Sequence, residues 1–234
     1  MNTNHPVEPQ IDGHSPHSQS DLSRIYSQRF QTNLDYRKRV WRILVDDLFS
    51  KFIPPRASIL DLGCGYGEFI NNAKAEKKFA MDLNPDAPKF LGKDVAFLHQ
   101  DCSQPWSPIA NNLDIVFTSN FFEHLPDKKL LGQTLDQVYQ ALKPGGCVIA
   151  MGPNARYVAG AYWDFWDHYL PLTERSLGEA LENRNFQILR AHSRFLPYTM
   201  LGKKPAPIFL IKAYLKMPIF WKIIGQQFLI IAKK

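Results

Sequence analysis

Three glycines at alternate positions, in Asp61-Leu62-Gly63-Cys64-Gly65-Tyr66-Gly67, are the residues of this 234-residue chain best suited to cradle a ligand. Glycine lets a backbone turn tightly and approach a ligand with no Cβ in the way. Between a strand and a helix, such a loop turns N–H groups toward the ligand, which suits a nucleotide-like cofactor. The spacing discriminates between cofactors. Dinucleotide-binding loops use GxGxxG. Here the third glycine comes one residue early and Glu68 stands at the dinucleotide position. No Lys-Ser/Thr pair follows to form a phosphate loop, which disfavours a nucleoside triphosphate.

Other residues offer acid–base or recognition chemistry. His124, in Ser119–Leu125 (SNFFEHL), has an imidazole whose ordinary pKa suits proton removal near neutrality. The plainer reading is a histidine bonded to loop backbone. Glu123 beside it suits ordering a pocket or capping the next helix. Tyr162–Leu172 (YWDFWDHYLPL) is dense in aromatics. Tyr162, Trp163 and Trp166 can line a site for an apolar or sugar-like acceptor, with Asp167 and His168 supplying polarity. The alternative is a surface loop whose aromatics pack on the sheet. Cys64, Cys102 and Cys147 form no CxxC pair, which argues against structural zinc and a disulfide framework and suits a reducing compartment. His5, His14 and His17 lie in a polar tail and are read as solvated, so no metal site is expected.

The elements that must position these groups alternate. Strands are expected at Ala57–Asp61, Lys78–Leu83, Asp94–His99, Leu113–Ser119 and Cys147–Met151, with helices at Tyr66–Ala75 and Pro126–Leu142 and a turn at Pro144–Gly146. Such alternation predicts an α/β, Rossmann-like doubly wound sheet with helices on both faces. Ligands of such sheets bind at the carboxyl ends of the strands, where strand order reverses. Residues 1–20 are too polar to offset ordering entropy and read as a disordered tail. Residues 21–234 read as one domain. It has a helical segment over 21–53 with Asp21 as N-cap, a cofactor-binding core over 57–151, and a basic and aromatic insertion over 195–225. Glu174–Asn183 reads as a helix. Phe186–Arg194 and Gln226–Ala232 read as strands, the terminal one antiparallel. Ile208–Lys216 has helical spacing that Pro218 breaks.

DLGCGYGEF resembles the first signature of class I S-adenosylmethionine-dependent methyltransferases. Further matches follow in order: Asp82 in FAMDLNPD, Asp101-Cys102, the Glu123-His124-Leu125 of SNFFEHL, and LKPGG over Leu142–Gly146. The EHL is similar to that of the small-molecule branch, which includes ubiquinone and menaquinone biosynthesis enzymes. The resemblance implies S-adenosyl-L-methionine as cofactor. It implies contacts from Asp61, Gly63, Cys64, Gly65 and Gly67, from Asp82 and Leu83, from Asp101 and Cys102, and from Asn120. Asp82 would accept from the two ribose hydroxyls, using both carboxylate oxygens, and Asp101 would meet the adenine. The family has no universal catalytic residue, and His124 is the candidate here. Glu123, Tyr162, Trp163, Trp166 and His168 are the candidates for holding the acceptor.

The acceptor is expected to be a small molecule or a lipid-like or lipid-linked one. Where amino-methylating nucleic-acid enzymes carry Asn/Asp-Pro-Pro-aromatic, this chain has Asn120-Phe121-Phe122, and no RNA-binding module is visible, so nucleic acid is disfavoured. The formal net charge is +6, which favours anionic partners without selecting one. Residues 195–225 mix lysines with large apolar side chains, as in a membrane-interface segment, an active-site lid or a dimer contact. No signal peptide or spanning run is read, so a cytoplasmic protein, with or without peripheral membrane contact, is expected. Two rivals stand beside an active enzyme: a scaffold that keeps the fold and cofactor without catalysis, and a nicotinamide-dependent oxidoreductase, which the glycine spacing disfavours.

Overall fold

A computed structural model describes residues 34–198 and 206–234. The expectations for the tail, for the helical segment as far as residue 33, with Asp21 as its N-cap, and for residues 199–205 of the insertion lie outside the described residues. Seven strands form one sheet: β1 (Ser58–Leu62), β2 (Lys77–Asp82), β3 (Val95–His99), β4 (Leu113–Ser119), β5 (Leu142–Pro153), β6 (Gln187–His192) and β7 (Gln227–Lys233). Their order is β3-β2-β1-β4-β5-β7-β6. The first five are parallel, and β7 lies antiparallel between β5 and β6. This is the doubly wound, mostly parallel sheet with an antiparallel C-terminal strand that the pattern predicts.

Central strands of such sheets are buried on both faces and so read as continuous apolar runs. Alternate side chains feed two separate cores. In β5, Val148 and Ala150 enter one core while Ile149 and Met151 enter the other. In β7, Phe228, Ile230 and Ala232 face the first, and Leu229 and Ile231 the second. Helices α2 (Lys128–Ala141) and α4 (Glu174–Glu182) cover the first core through Leu131, Leu135, Leu177 and Leu181. A one-turn helix, α3 (Ala155–Val158), follows β5. Helix α1 (Leu34–Asp47) covers the second core through Ile43, Leu44 and Val45. It is joined there by α5 (Ile208–Lys216) and α6 (Pro218–Ile224).

Residues 206–225 are thus part of a layer over the sheet. Trp221 is buried on Phe195, ring centroids 5.0 Å apart, and its Nε1 donates to the Tyr214 carbonyl at 2.9 Å. The Tyr36 hydroxyl in α1 donates to the Ala206 carbonyl at 2.9 Å. Pro218 does end α5, and it also opens α6. Proline suits the first helical turn, where its missing N–H would have had no partner anyway.

Two local expectations are corrected. Residues 66–72 form successive turns rather than a helix. Gly67 has φ +69°, outside right-handed helix space. The amide side chains nearby also bind backbone: Asn72 Nδ2 donates to the Glu68 carbonyl at 2.8 Å, and Asn71 Nδ2 to the Phe90 carbonyl at 2.9 Å. Such bonds compete with helix formation. Pro144–Gly146, expected as a turn before the fifth strand, falls inside β5 as an irregular stretch. The pairing with β4 jumps there, from Leu113–Leu142 to Ile115–Cys147.

Candidate active site

The sheet order reverses between β1 and β4, so their carboxyl ends open a crevice. The loop after β1 carries the glycines, with φ +68° at Gly63, +53° at Gly65 and +69° at Gly67. This left-handed region favours glycine. A second requirement falls on Gly63. A Cβ built there would lie 2.3 Å from Cγ of Phe121, a residue of the loop after β4. The bare glycine lets the two loops that bound the crevice pack together.

Carboxylates pin this loop. Asp82, buried at the end of β2, accepts the Gly65 N–H at Oδ2 and the Asn84 N–H at Oδ1, both at 2.8 Å. Asp61 accepts the Ile70 N–H at 3.3 Å. Burial raises the Asp61 carboxyl well above the usual range, against the Ile70 hydrogen bond and with help from the charges of Glu68 and Asp82. Burial also raises Glu68, opposed by an ion pair with Arg37 of α1. Burial pushes the Cys64 thiol well up, and Asp82 and Asp61 add to it. Cys64 therefore stays a neutral thiol, and what it offers a ligand is its backbone.

At the end of β3, Asp101 Oδ1 accepts from the N–H and hydroxyl of Ser103, each at 2.8 Å. Cys102 is buried, its thiol raised to about 12 by burial and its Sγ 3.2 Å from the Thr134 hydroxyl. The Leu83 carbonyl lies 3.0 Å from Nε2 of His99. The residues present fit a nucleoside-bearing cofactor. The loop bends through three left-handed glycines beside the carboxylates of Asp82 and Asp101, and each carboxylate oxygen can accept more than one hydrogen bond.

The loop after β4 begins with Asn120 at φ +49°, its N–H donating to the Met151 carbonyl at 2.9 Å. A non-glycine residue in that region is unusual and marks a tightly determined loop. Glu123 is buried near β5, with Oε2 3.4 Å from where a Cβ on Gly152 would stand. Its carbonyl accepts from Tyr169 N–H at 2.9 Å and Leu170 N–H at 3.1 Å. Those two bonds tie the aromatic segment to the β4 loop, about forty-five residues away along the chain.

The tie brings two predicted histidines together. Rings of His124 and His168 are edge to face, with centroids 5.0 Å apart. Nδ1 of His124 lies 2.8 Å from the backbone oxygen of Asp167 and 3.2 Å from its Oδ2. Both partners are acceptors, so Nδ1 carries the proton, and the neutral imidazole keeps its lone pair on Nε2. Burial alone would lower the His124 pKa. The Asp167 hydrogen bonds and the charges of Glu123 and Asp167 outweigh it, and the value is raised. Glu123, His124 and His168 each bring one potential ligand atom within 4.8 Å of the others. A divalent cation can bridge such a trio, and so can a network of imidazole and carboxylate hydrogen bonds.

The predicted aromatics divide. Tyr162 is buried, its hydroxyl donating to the Leu170 carbonyl at 2.6 Å, and its ring lies 4.7 Å from that of His168. Trp163 is 60% exposed and Trp166 86% exposed. Sequence reasoning left out three contributors: Phe165, stacked on His168 at 4.9 Å; Tyr198, with its ring 5.8 Å from Phe165; and Arg37. Phe165 stood inside the aromatic run and could have been read there. Tyr198 and Arg37 carry no local signal, because only chain folding sets them beside the site.

Comparisons with known proteins agree with this frame. The methyltransferase-domain family matches residues 34–191. A demethylmenaquinone methyltransferase from Symbiobacterium thermophilum is 25% identical over 140 residues, covering 51% of this chain and 53% of that protein. The match therefore spans about half the length of that curated relative. Among solved structures, an S-adenosylmethionine-dependent methyltransferase from Archaeoglobus fulgidus superposes with TM-score 0.66 at 21% identity, over 92% of this chain and 100% of that one. The chain bound to the Trm112 methyltransferase activator of Haloferax volcanii gives 0.65 at 15%, over 93% and 97%. At these identities the two structures speak to the fold. The family match speaks to more: the chain belongs to the methyltransferase-domain family, as a class I member with S-adenosylmethionine as its cofactor.

Proposed function

We propose that this protein methylates a small, largely apolar, lipid-like acceptor whose nucleophile is activated by loss of a hydroxyl proton. The cofactor, when bound, supplies a methyl group already activated by its sulfonium. What remains for the chain is to hold the acceptor in line and to accept a proton. The observation that carries the reading is the His124–Asp167 pair at the carboxyl end of β4. Asp167 fixes the imidazole with Nδ1 protonated, so Nε2 is the nitrogen left to take the proton. Deprotonating a hydroxyl activates the oxygen itself, or a ring carbon conjugated with it. Glu123 and Asp167 favour the imidazolium that forms, as nearby negative charges do. Asp82 and Asp101 would hold the ribose and adenine, with Asn120 and the glycine loop shaping the rest of the cofactor cleft.

Phe165, Tyr162 and Tyr198 around His168 supply apolar walls for such an acceptor. The partially matching relative, by its name, methylates demethylmenaquinone, a compound of this class. Methyl-labelled cofactor incubated with the protein and a cell extract tests the reading. Label is expected in the organic-solvent phase, transferred by the wild type. His124→Asn is expected to bind S-adenosylmethionine normally by calorimetry and to transfer roughly 10²- to 10⁴-fold more slowly. Label confined to the aqueous or nucleic-acid fraction would overturn the acceptor class. Full activity in His124→Asn would remove the base.

A further inference from the structure

The charge of this chain is unevenly placed. Residues 183–234 hold ten of its 28 Lys and Arg and none of its 22 Asp and Glu, so residues 1–182 are net negative by four. The apolar surface is uneven in the same direction. Among the described residues eleven large hydrophobic side chains are exposed, and seven of them fall between Phe209 and Ile224. Monomeric proteins scatter such residues singly; a contiguous patch marks a binding surface.

The two helices separate their faces cleanly. In α5, Leu215 is buried and Ile208, Ile211 and Tyr214 are half-buried toward α1 and the sheet. Phe209 and Leu210 face out beside Lys212 and Lys216. In α6 only Trp221 is buried. Ile219, Phe220, Ile223 and Ile224 face out beside Lys222. The pair is firmly seated. The Tyr214 hydroxyl donates to the Phe195 carbonyl, and Arg194 Nη1 donates to the α6 carbonyls of Lys222 and Ile223 at 2.7 and 2.9 Å. An arginine there also complements the negative end of the helix dipole.

We propose that the outer face of α5 and α6 docks on an anionic lipid bilayer. Large apolar side chains flanked by lysines, with no acidic residue in the segment, match a negatively charged interface into which side chains partly insert. A second protein copy would place these lysines against an identical set. Nothing is required to span: no helix among the described residues is long and apolar enough to cross a membrane. The placement also serves the site. Helix α6 leads through Gly225 into Gln227, which pairs with Pro153 at the carboxyl end of β5. The docking face therefore adjoins the rim from which the crevice opens, and a docked enzyme would face acceptors held in the membrane. Docking itself needs no methyl transfer, so it stands or falls apart from the catalytic reading.

Co-sedimentation of the full chain with vesicles tests it, using phosphatidylcholine alone and phosphatidylcholine mixed with phosphatidylglycerol. Binding is expected only to the mixed vesicles, and it is expected to weaken as salt rises. Replacing Lys212, Lys216 and Lys222 by Gln should weaken partition about fivefold per lysine, roughly a hundredfold together. Ile219→Glu with Ile223→Glu should abolish it. These side chains are 58% and 60% exposed, so melting temperature and S-adenosylmethionine titration should match the wild type. Wild-type protein that ignores the mixed vesicles, or binds both kinds equally, overturns the proposal. So does a dimer, seen by analytical ultracentrifugation, that the same isoleucine substitutions dissolve, since the face would then belong to a second copy.

Discussion

Replacing Gly63 by Ala tests whether the crevice depends on a missing side chain. Two costs can be worked from the structure. At φ +68° an L-residue is strained, by about 1–2 kcal/mol. The new Cβ would stand 2.3 Å from Phe121 Cγ, 2.4 Å from Cδ2 and 2.8 Å from Cβ. No contact survives at those distances, so Phe121 must move, and overpacking of this kind costs about 1–3 kcal/mol. Alanine restricts the unfolded chain and returns about 0.4–1 kcal/mol. The net expectation is a loss of about 2–4 kcal/mol, or a melting temperature lower by roughly 5–15 °C for a chain of this size. A double-mutant cycle with Phe121→Ala separates the parts. Truncating the ring removes the clash but leaves the φ strain, so a favourable coupling of about 1–3 kcal/mol is expected between the two substitutions. Thermal melts of the four proteins measure it, and calorimetry should show weaker S-adenosylmethionine binding by Gly63→Ala. A melt within about 1 °C of wild type, or coupling below about 0.5 kcal/mol, would refute the close packing of the two loops.

Asp167→Asn should keep the His124 ring in place through the Asp167 backbone oxygen while removing the carboxylate that raises its pKa. The rising limb of the pH–rate profile should move to lower pH, and the plateau should fall by part of the roughly 10²–10⁴-fold that a general base contributes. An unshifted limb would mean that His124 does not set it. Because the folded pKa of His124 is raised, its stabilising contribution is complete below the unfolded value, near 6.5, and is lost as pH rises through the folded value. Asp167→Asn should therefore be destabilised relative to wild type more at acidic than at alkaline pH, which melts across pH would show. If Glu123, His124 and His168 act as a proton-transfer network, EDTA should leave methyl transfer unchanged. Activity lost to EDTA and restored by a divalent cation would instead make the trio a metal site and His124 a ligand.

Much of this protein is legible in one dimension, for identifiable reasons. A strand buried on both faces must be apolar throughout, so β4 and β7 announce themselves as LDIVFTS and QFLIIA. A backbone forced into left-handed turns beside a ligand needs glycine, so the loop at Gly63, Gly65 and Gly67 is visible as a spacing. Strand-end acids fall at fixed places once the strands are known, so Asp82 could be placed at the end of β2 and Asp101 just past β3, while their roles toward a cofactor came from the resemblance alone. What the sequence could not supply was every feature made by contact between distant segments. That Gly67 and two asparagine side chains would turn residues 66–72 away from a helix depended on partners such as Phe90, across the loop. That His124 would meet Asp167 and His168 depended on two backbone hydrogen bonds to the Glu123 carbonyl, and backbone groups are the same in every residue. That residues 206–225 would form a layer over the sheet with an apolar outer face depended on which side Trp221 and Leu215 would bury. The helical period shows that two faces exist; only packing against the sheet decides which one is left to the solvent.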